Sequence, residues 1–154
     1  MREHARRLFV LSLALIALGA PAAASAQSDE EVIKQTLVEM WAAIETEDVA
    51  RYAEHVHDDF SSFGETDTYL REGKAAELRG VESWIARYRN IQTEMHQPNV
   101  VVRGDMAWIT YYWTDSSYSR ATGERSTSRG KSTRVFVKEN GRWLCIHGHY
   151  TLVA

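Results

Sequence analysis

The chain of 154 residues has one cysteine, Cys145, so no disulfide can form within it. A domain with enough apolar core does not need one, even in an oxidising compartment. No excess of basic residues exists to draw the protein to nucleic acid or anionic lipid: 18 Lys and Arg stand against 21 Asp and Glu. No apolar run reaches the roughly 20 residues that a helix needs to span a bilayer comfortably. There is also no phosphate-binding glycine loop, no Ser-His-Asp arrangement and no cysteine in a nucleophile context, which leaves the common hydrolase and nucleotide chemistries without support. Internal repeats and low-complexity segments are absent beyond the first 26 residues.

What is present starts with an address. Arg2, His4, Arg6 and Arg7 form a basic head, residues 8–18 are apolar, and Ala24-Ser25-Ala26 makes a small-x-small site. Those three parts in that order predict a signal peptide over residues 1–26, cleaved after Ala26, and a periplasmic or secreted product. Arg6-Arg7 also suits a twin-arginine export signal, and the general secretory route stays open beside it. The remaining residues 27–154 suit one domain with one core. Removing Arg2, Glu3, Arg6 and Arg7 leaves 15 basic against 20 acidic residues. The expected mature form is soluble, with neither a nucleic-acid partner nor a membrane partner.

Ser28 and Glu31, three apart, read as a helix capping box. Val32, Ile33, Leu37, Met40, Trp41 and Ile44 then recur at helical spacing. A short second helix is expected from Asp48, ending at His55–Asp59, with Phe60–Phe63 as a strand. Residues 65–79 are polar and ambiguous, and a third helix is expected after Gly80, with Val81, Trp84, Ile85 and Tyr88 on one side. From Thr93 the period changes to two. Four long strands are predicted, over 93–103, 106–119, 125–138 and 142–153. They turn at Gly104-Asp105, at 121–124 and at Asn140-Gly141, the last being a tight-hairpin signal. Helices followed by an antiparallel meander imply an α+β domain, with three N-terminal helices packed on the concave face of a curved sheet. Strands this long must curve, and a curved sheet closed by helices leaves a conical cavity.

Two stretches carry a family likeness. Leu78-Arg79-Gly80-Val81-Glu82-Ser83-Trp84 resembles the loop-to-helix signature of the nuclear transport factor 2-like superfamily. The segment from Thr133 to His149, with Thr133-Arg134-Val135, Gly141-Arg142-Trp143 and His147-Gly148-His149, resembles the final hairpin of SnoaL-like proteins and of the association domain of calcium/calmodulin-dependent kinases. The resemblance implies a cone-shaped fold and a homodimer formed through the outer sheet face. It also implies that Arg134 points into the pocket to receive a carboxylate. Two further pocket arginines of the kinase domain fall on Thr110 and Tyr150 here. The superfamily contains enzymes and pure scaffolds, so the fold does not name a function.

Arg134 shares a strand face with Ser132 and Phe136. It either meets an anionic ligand or pairs with a structural acid. On the last strand, Leu144, Ile146, Gly148 and Tyr150 are expected to face the cavity, and Trp143, Cys145, His147 and His149 the outside. Trp108 and Tyr112 are expected to line the pocket, opposite Ala107, Ile109, Tyr111, Trp113 and Asp115. Trp41 and Trp84 join it from the helices. His147 with His149, and His55 with His57, have the residue types of a metal site, but an interface and a helix end explain them better, so no metal and no cofactor are expected. The leading expectation is a small-molecule-binding protein taking an anionic or aromatic ligand. A cofactor-independent isomerase or cyclase acting on a carbonyl compound is the alternative, although no pocket base is visible in the sequence. A ligand-free dimerising module is a third.

Overall fold

A computed structural model describes residues 27–153, so the signal peptide predicted over residues 1–26 lies outside the described residues. The first helix, α1, is Asp29–Glu45, and Ser28 caps it by accepting the Glu31 N–H at 3.3 Å. The Glu31 carboxylate does not complete the box; it turns to Lys34 at 2.7 Å. Ile33, Leu37, Met40 and Ala43 are fully buried along one stripe. Each such aliphatic side chain contributes roughly 1.5–3 kcal/mol by leaving water. Asp29 fastens the start of α1 to the C-terminal hairpin by accepting from Lys138 Nζ (2.8 Å) and Trp143 Nε1 (2.9 Å).

The remaining elements are α2 (Val49–Ala53), β1 (Val56–Phe63), β2 (Arg71–Glu72), α3 (Lys74–Arg87), β3 (Tyr88–Arg103), β4 (Met106–Ser119), β5 (Arg125–Glu139) and β6 (Arg142–Leu152). One six-stranded sheet has the order β2-β1-β6-β5-β4-β3. It is open, with β2 and β3 at its edges. The four-strand meander is antiparallel, whereas β1 runs parallel to β6. Helix α1 lies against β3 and α3 against β1, which gives the helix-covered α+β architecture expected.

The long strands curve where bulges interrupt their register. In β3 the shifts fall between Arg89 and Gln92 and between His96 and Asn99. Asn90 and Gln97, at φ 50° and 51°, are the left-handed residues there. A bulge bends its strand and sharpens the twist, which lets the sheet wrap over the helices. Asn140 and Gly141, at φ 49° and 77°, close the β5–β6 hairpin as their residue types predict.

Three boundaries differ from the sequence reading. Helix α3 starts six residues before Gly80, inside the polar stretch. Gly80 is a mid-helix residue; a Cβ there would lie 2.6 Å from Arg71 Nη1, so the glycine makes room for that arginine. Strand β1 begins at Val56 rather than at Phe60, because pairing with β6 overrides the helix-end signal of His55–Asp59. Strand β3 begins at Tyr88, where the last turn of α3 passes directly into the sheet edge.

Candidate functional site

The concave wall is written along two neighbouring strands. On β4, Ala107, Ile109, Tyr111, Trp113, Asp115 and Ser117 alternate inward; opposite them on β5 stand Phe136, Arg134, Ser132, Gly130, Ser128 and Ser126. The pairs therefore grade from apolar, through Arg134 and an aromatic belt, to carboxylate and hydroxyl. Between this wall and the helices lies a cavity of ≈ 490 Å³. Trp41 and Trp84 reach it from α1 and α3, and Tyr150 from β6. Trp41 meets Tyr111 edge-on, with ring centroids 5.5 Å apart.

Arg134 sits in the wall, 5% exposed. Its guanidinium carbon lies 4.4 Å over the Tyr150 ring, and Nη1 is 3.8 Å from Cys145 Sγ. Gly148 leaves room for this stack: a Cβ there would lie 2.7 Å from the Tyr150 hydroxyl and 3.2 Å from Arg134 Nη1. Burial raises the Cys145 thiol above its ordinary pKa, and the Tyr150 and Tyr52 phenols well above theirs, so all three neighbours are neutral. Among the described residues no carboxylate lies within ion-pair distance of Arg134, and its Nε has no hydrogen-bond partner.

The nearest acidic assembly is Glu77 on α3, 4% exposed. The Tyr52 hydroxyl donates to its Oε1 at 2.7 Å, and Arg71 Nη1 lies 3.4 Å from Oε2. Arg71 also reaches Asp67 Oδ2 at 3.1 Å. The carboxylate is thus engaged by other partners, while its charge adds to burial in raising the Tyr52 phenol. Toward the outer end, Ser128 Oγ donates to Asp115 Oδ1. Burial holds the Asp115 carboxyl above its ordinary pKa. Glu65 is raised by burial and then by the Asp115 charge. Trp113 Nε1, on the same wall, is buried without a partner.

Of the residues expected in the pocket, Arg134, Tyr150, Trp41 and Trp84 line it. Trp108 and Tyr112 do not. They stand on the outer face of β4, 38% and 49% exposed, and it is Tyr111, Trp113 and Asp115 that face inward. Both faces of β4 are aromatic, so alternation separates them without saying which one the helices cover. Strand β6 carries the other correction. Trp143 and Cys145 are inside, as are Gly148 and Tyr150, because a register shift at Ile146 sets two residues of β6 against one step of β5. The bulge moves Leu144 and Ile146 out of the core face, and past it the expected faces hold. His147 and His149 lie outside, beside the Phe63 ring, with His147 Nδ1 sharing a 2.9 Å hydrogen bond with Ser61 Oγ.

The sequence reading misses Glu77 and Tyr52 as pocket groups. The signal for Glu77 exists: it lies four residues before Val81 and eight before Ile85, on the buried stripe of α3, and becomes visible once the helix is extended back through the polar stretch.

Residues 33–154 match the SnoaL-like domain family. The chain belongs to that family. A stretch of 63 residues, 41% of this SnoaL-like chain, is 35% identical to calcium/calmodulin-dependent protein kinase type II of Caenorhabditis briggsae, of which it covers 12%. The Caenorhabditis elegans kinase is 33% identical over 63 residues, 9% of its length, so the chain spans only a small part of these curated relatives. Among solved structures, a candidate association domain of that kinase from Xanthomonas campestris superposes with a TM-score of 0.72 at 18% identity, covering 86% of this chain and 93% of the other. A candidate dehydratase of the nuclear transport factor 2-like family from Streptomyces avermitilis gives 0.75 at 18% identity, over 82% and 97%. A candidate aromatic ring hydroxylase from Novosphingobium aromaticivorans gives 0.75 at 14% identity, over 82% and 90%. At these identities the likeness establishes the nuclear transport factor 2-like fold.

Proposed function

We propose that this SnoaL-like protein is an exported small-molecule-binding protein, whose cavity takes an organic anion with an aromatic or extended apolar body. The observation that carries the reading is Arg134: a buried cation on the cavity wall, stacked over Tyr150 and beside Cys145, with no carboxylate within ion-pair distance among the described residues. A buried charge without a counter-charge is costly, and a ligand carboxylate removes that cost through charge-assisted hydrogen bonds. Trp41, Tyr111, Trp113 and Tyr150 supply aromatic surface for the body of the ligand. Export rests on the pattern of residues 1–26. A homodimer would cover the outer sheet face, where Phe63, Trp108 and Tyr112 are exposed.

The test is calorimetric titration of the purified protein with benzoate, cinnamate and undecanoate, repeated on Arg134→Gln. Binding by the parent that weakens on the order of a hundredfold in a folded variant supports the reading, since a charged hydrogen-bonded contact contributes about 1.5–3 kcal/mol. Equal affinity in both proteins sinks it.

Glu77 favours a second reading, a cofactor-independent enzyme acting on a carbonyl compound. A buried carboxylate hydrogen-bonded to a neutral phenol beside a cavity has the groups of a general base and an oxyanion donor. Solvent-deuterium incorporation into a bound carbonyl compound, lost in Glu77→Gln, would be its signature.

A further inference from the structure

The cavity is polarised along its length, and this narrows the ligand class within the anion-binding reading on which the inference rests. Arg134 is opposite Ile109, whereas Asp115 is opposite Ser128, six residues further along β4. At about 3.4 Å per residue of extended strand the two positions are at most roughly 20 Å apart between backbones. Around the far position the lining is acidic and hydroxylated: Glu65, Asp115, Ser117, Ser126 and Ser128. Among the described residues neither Glu65 nor Asp115 takes part in an ion pair, although Arg87 stands exposed on the same rim. Asp115 accepts only from Ser128, through the hydroxyl and the backbone N–H, which leaves its carboxylate able to accept more.

Two further groups point to a ligand that runs between the ends. Trp113 is 6% exposed, lines the cavity two residues before Asp115, and its indole N–H has no acceptor. Arg134, at the other end, has no anion. One end therefore lacks a counter-anion, the middle lacks a hydrogen-bond acceptor, and the two acids Glu65 and Asp115 at the mouth have no ion-pair partner among the described residues.

The geometry points to an amphoteric ligand, an extended organic acid with a protonated amine at its far end, held with its carboxylate at Arg134 and its ammonium between Asp115 and Glu65. Such a ligand neutralises both ends of the cavity at once, while its body lies against Tyr111 and Trp113. The separation excludes α-amino acids, whose two charges are too close together to reach both ends. Burial and then the Asp115 charge raise the Glu65 carboxyl, and burial raises Asp115, so an ammonium placed between them is favourable to both.

The experiment compares 11-aminoundecanoate with undecanoate, and 6-aminohexanoate with hexanoate, by calorimetry on the purified protein and on Asp115→Asn and Glu65→Gln. The expected result is that 11-aminoundecanoate binds on the order of tenfold more tightly than undecanoate. That preference should vanish in Asp115→Asn while undecanoate affinity is retained. The shorter pair should show little preference, because one end is left unmet. Equal binding of the amino and plain acids by the parent overturns this inference and leaves the Arg134 reading intact. No binding of either acid overturns both. Both variants conserve side-chain volume at the cavity mouth, and a thermal melt beside each titration separates lost recognition from lost folding. A preference that survives both substitutions in a folded protein also refutes the assignment.

Discussion

The two faces of β4 have nearly the same chemistry and different fates. Ile109, Tyr111 and Trp113 are buried under the helices, while Met106, Trp108 and Tyr112, alternating with them, are exposed. Hydrophobicity along the strand does not distinguish the rows. What distinguishes them is the partner: α1 and α3 cover one side, and the covered aromatic row, with Arg134 and Asp115 in phase, lines the cavity. The uncovered row stays exposed, and in the proposed homodimer it would meet a second copy.

The largest effect should come from truncating one residue in each row. Ile109→Ala is expected to cost about 2–5 kcal/mol in urea unfolding, the range for a large-to-small change in a packed core. Trp108→Ala, on the outer face, should cost about 1 kcal/mol or less in the monomer and act instead on self-association measured by sedimentation. Equal losses of monomer stability would erase the distinction between the faces. Next in size is Gly130→Ala. A Cβ there would lie 2.4 Å from Trp113 Cζ2 and 2.5 Å from the Thr151 carbonyl oxygen, and a backbone atom cannot swing aside. Overpacking of this kind costs about 1–3 kcal/mol, and the displaced indole should shift the intrinsic tryptophan emission. A variant as stable as its parent, with unchanged emission, would mean that the wall is looser than it looks.

The smallest effect is in the pH dependence of stability, where the two faces have opposite signs. On the outer face, burial holds the His147 imidazole below the ordinary 6.5, so the folded protein resists its protonation. Its contribution is present above pH 6.5 and lost as pH falls through the lowered value. On the inner face, Asp115 is held above the ordinary 3.8. Its contribution is present below 3.8 and lost as pH rises through the raised value. Thermal melts from pH 7 downward should therefore decline less in His147→Asn and gain less at the acid end in Asp115→Asn. Identical profiles for parent and variants would remove both groups from the account.

Legibility followed the range of the forces involved. The bounds of β4, the Asn140-Gly141 turn and the capped start of α1 were readable because alternation, left-handed turn geometry and capping act over a few residues. The family resemblance implied Arg134 as an inward residue, and its phase with Ser132 and Phe136 showed only that the three share a face. The polar stretch before Gly80 hid the start of α3, and with it Glu77, because a buried carboxylate there is compensated by Tyr52 and Arg71 from other elements. The bulge at Ile146 left no local mark, since one extra residue in a strand changes its phase without changing its composition.

Residue order alone was therefore sufficient for the helix-then-meander plan and the family, which depend on local pattern, and through the family likeness for the inward place of Arg134. Which aromatic row faces the cavity, which acids enter it and where β6 changes face required the chain to fold. Those outcomes depend on contacts between residues on different elements, such as Tyr52 with Glu77 and Trp113 over Gly130, and no local pattern in the chain records them.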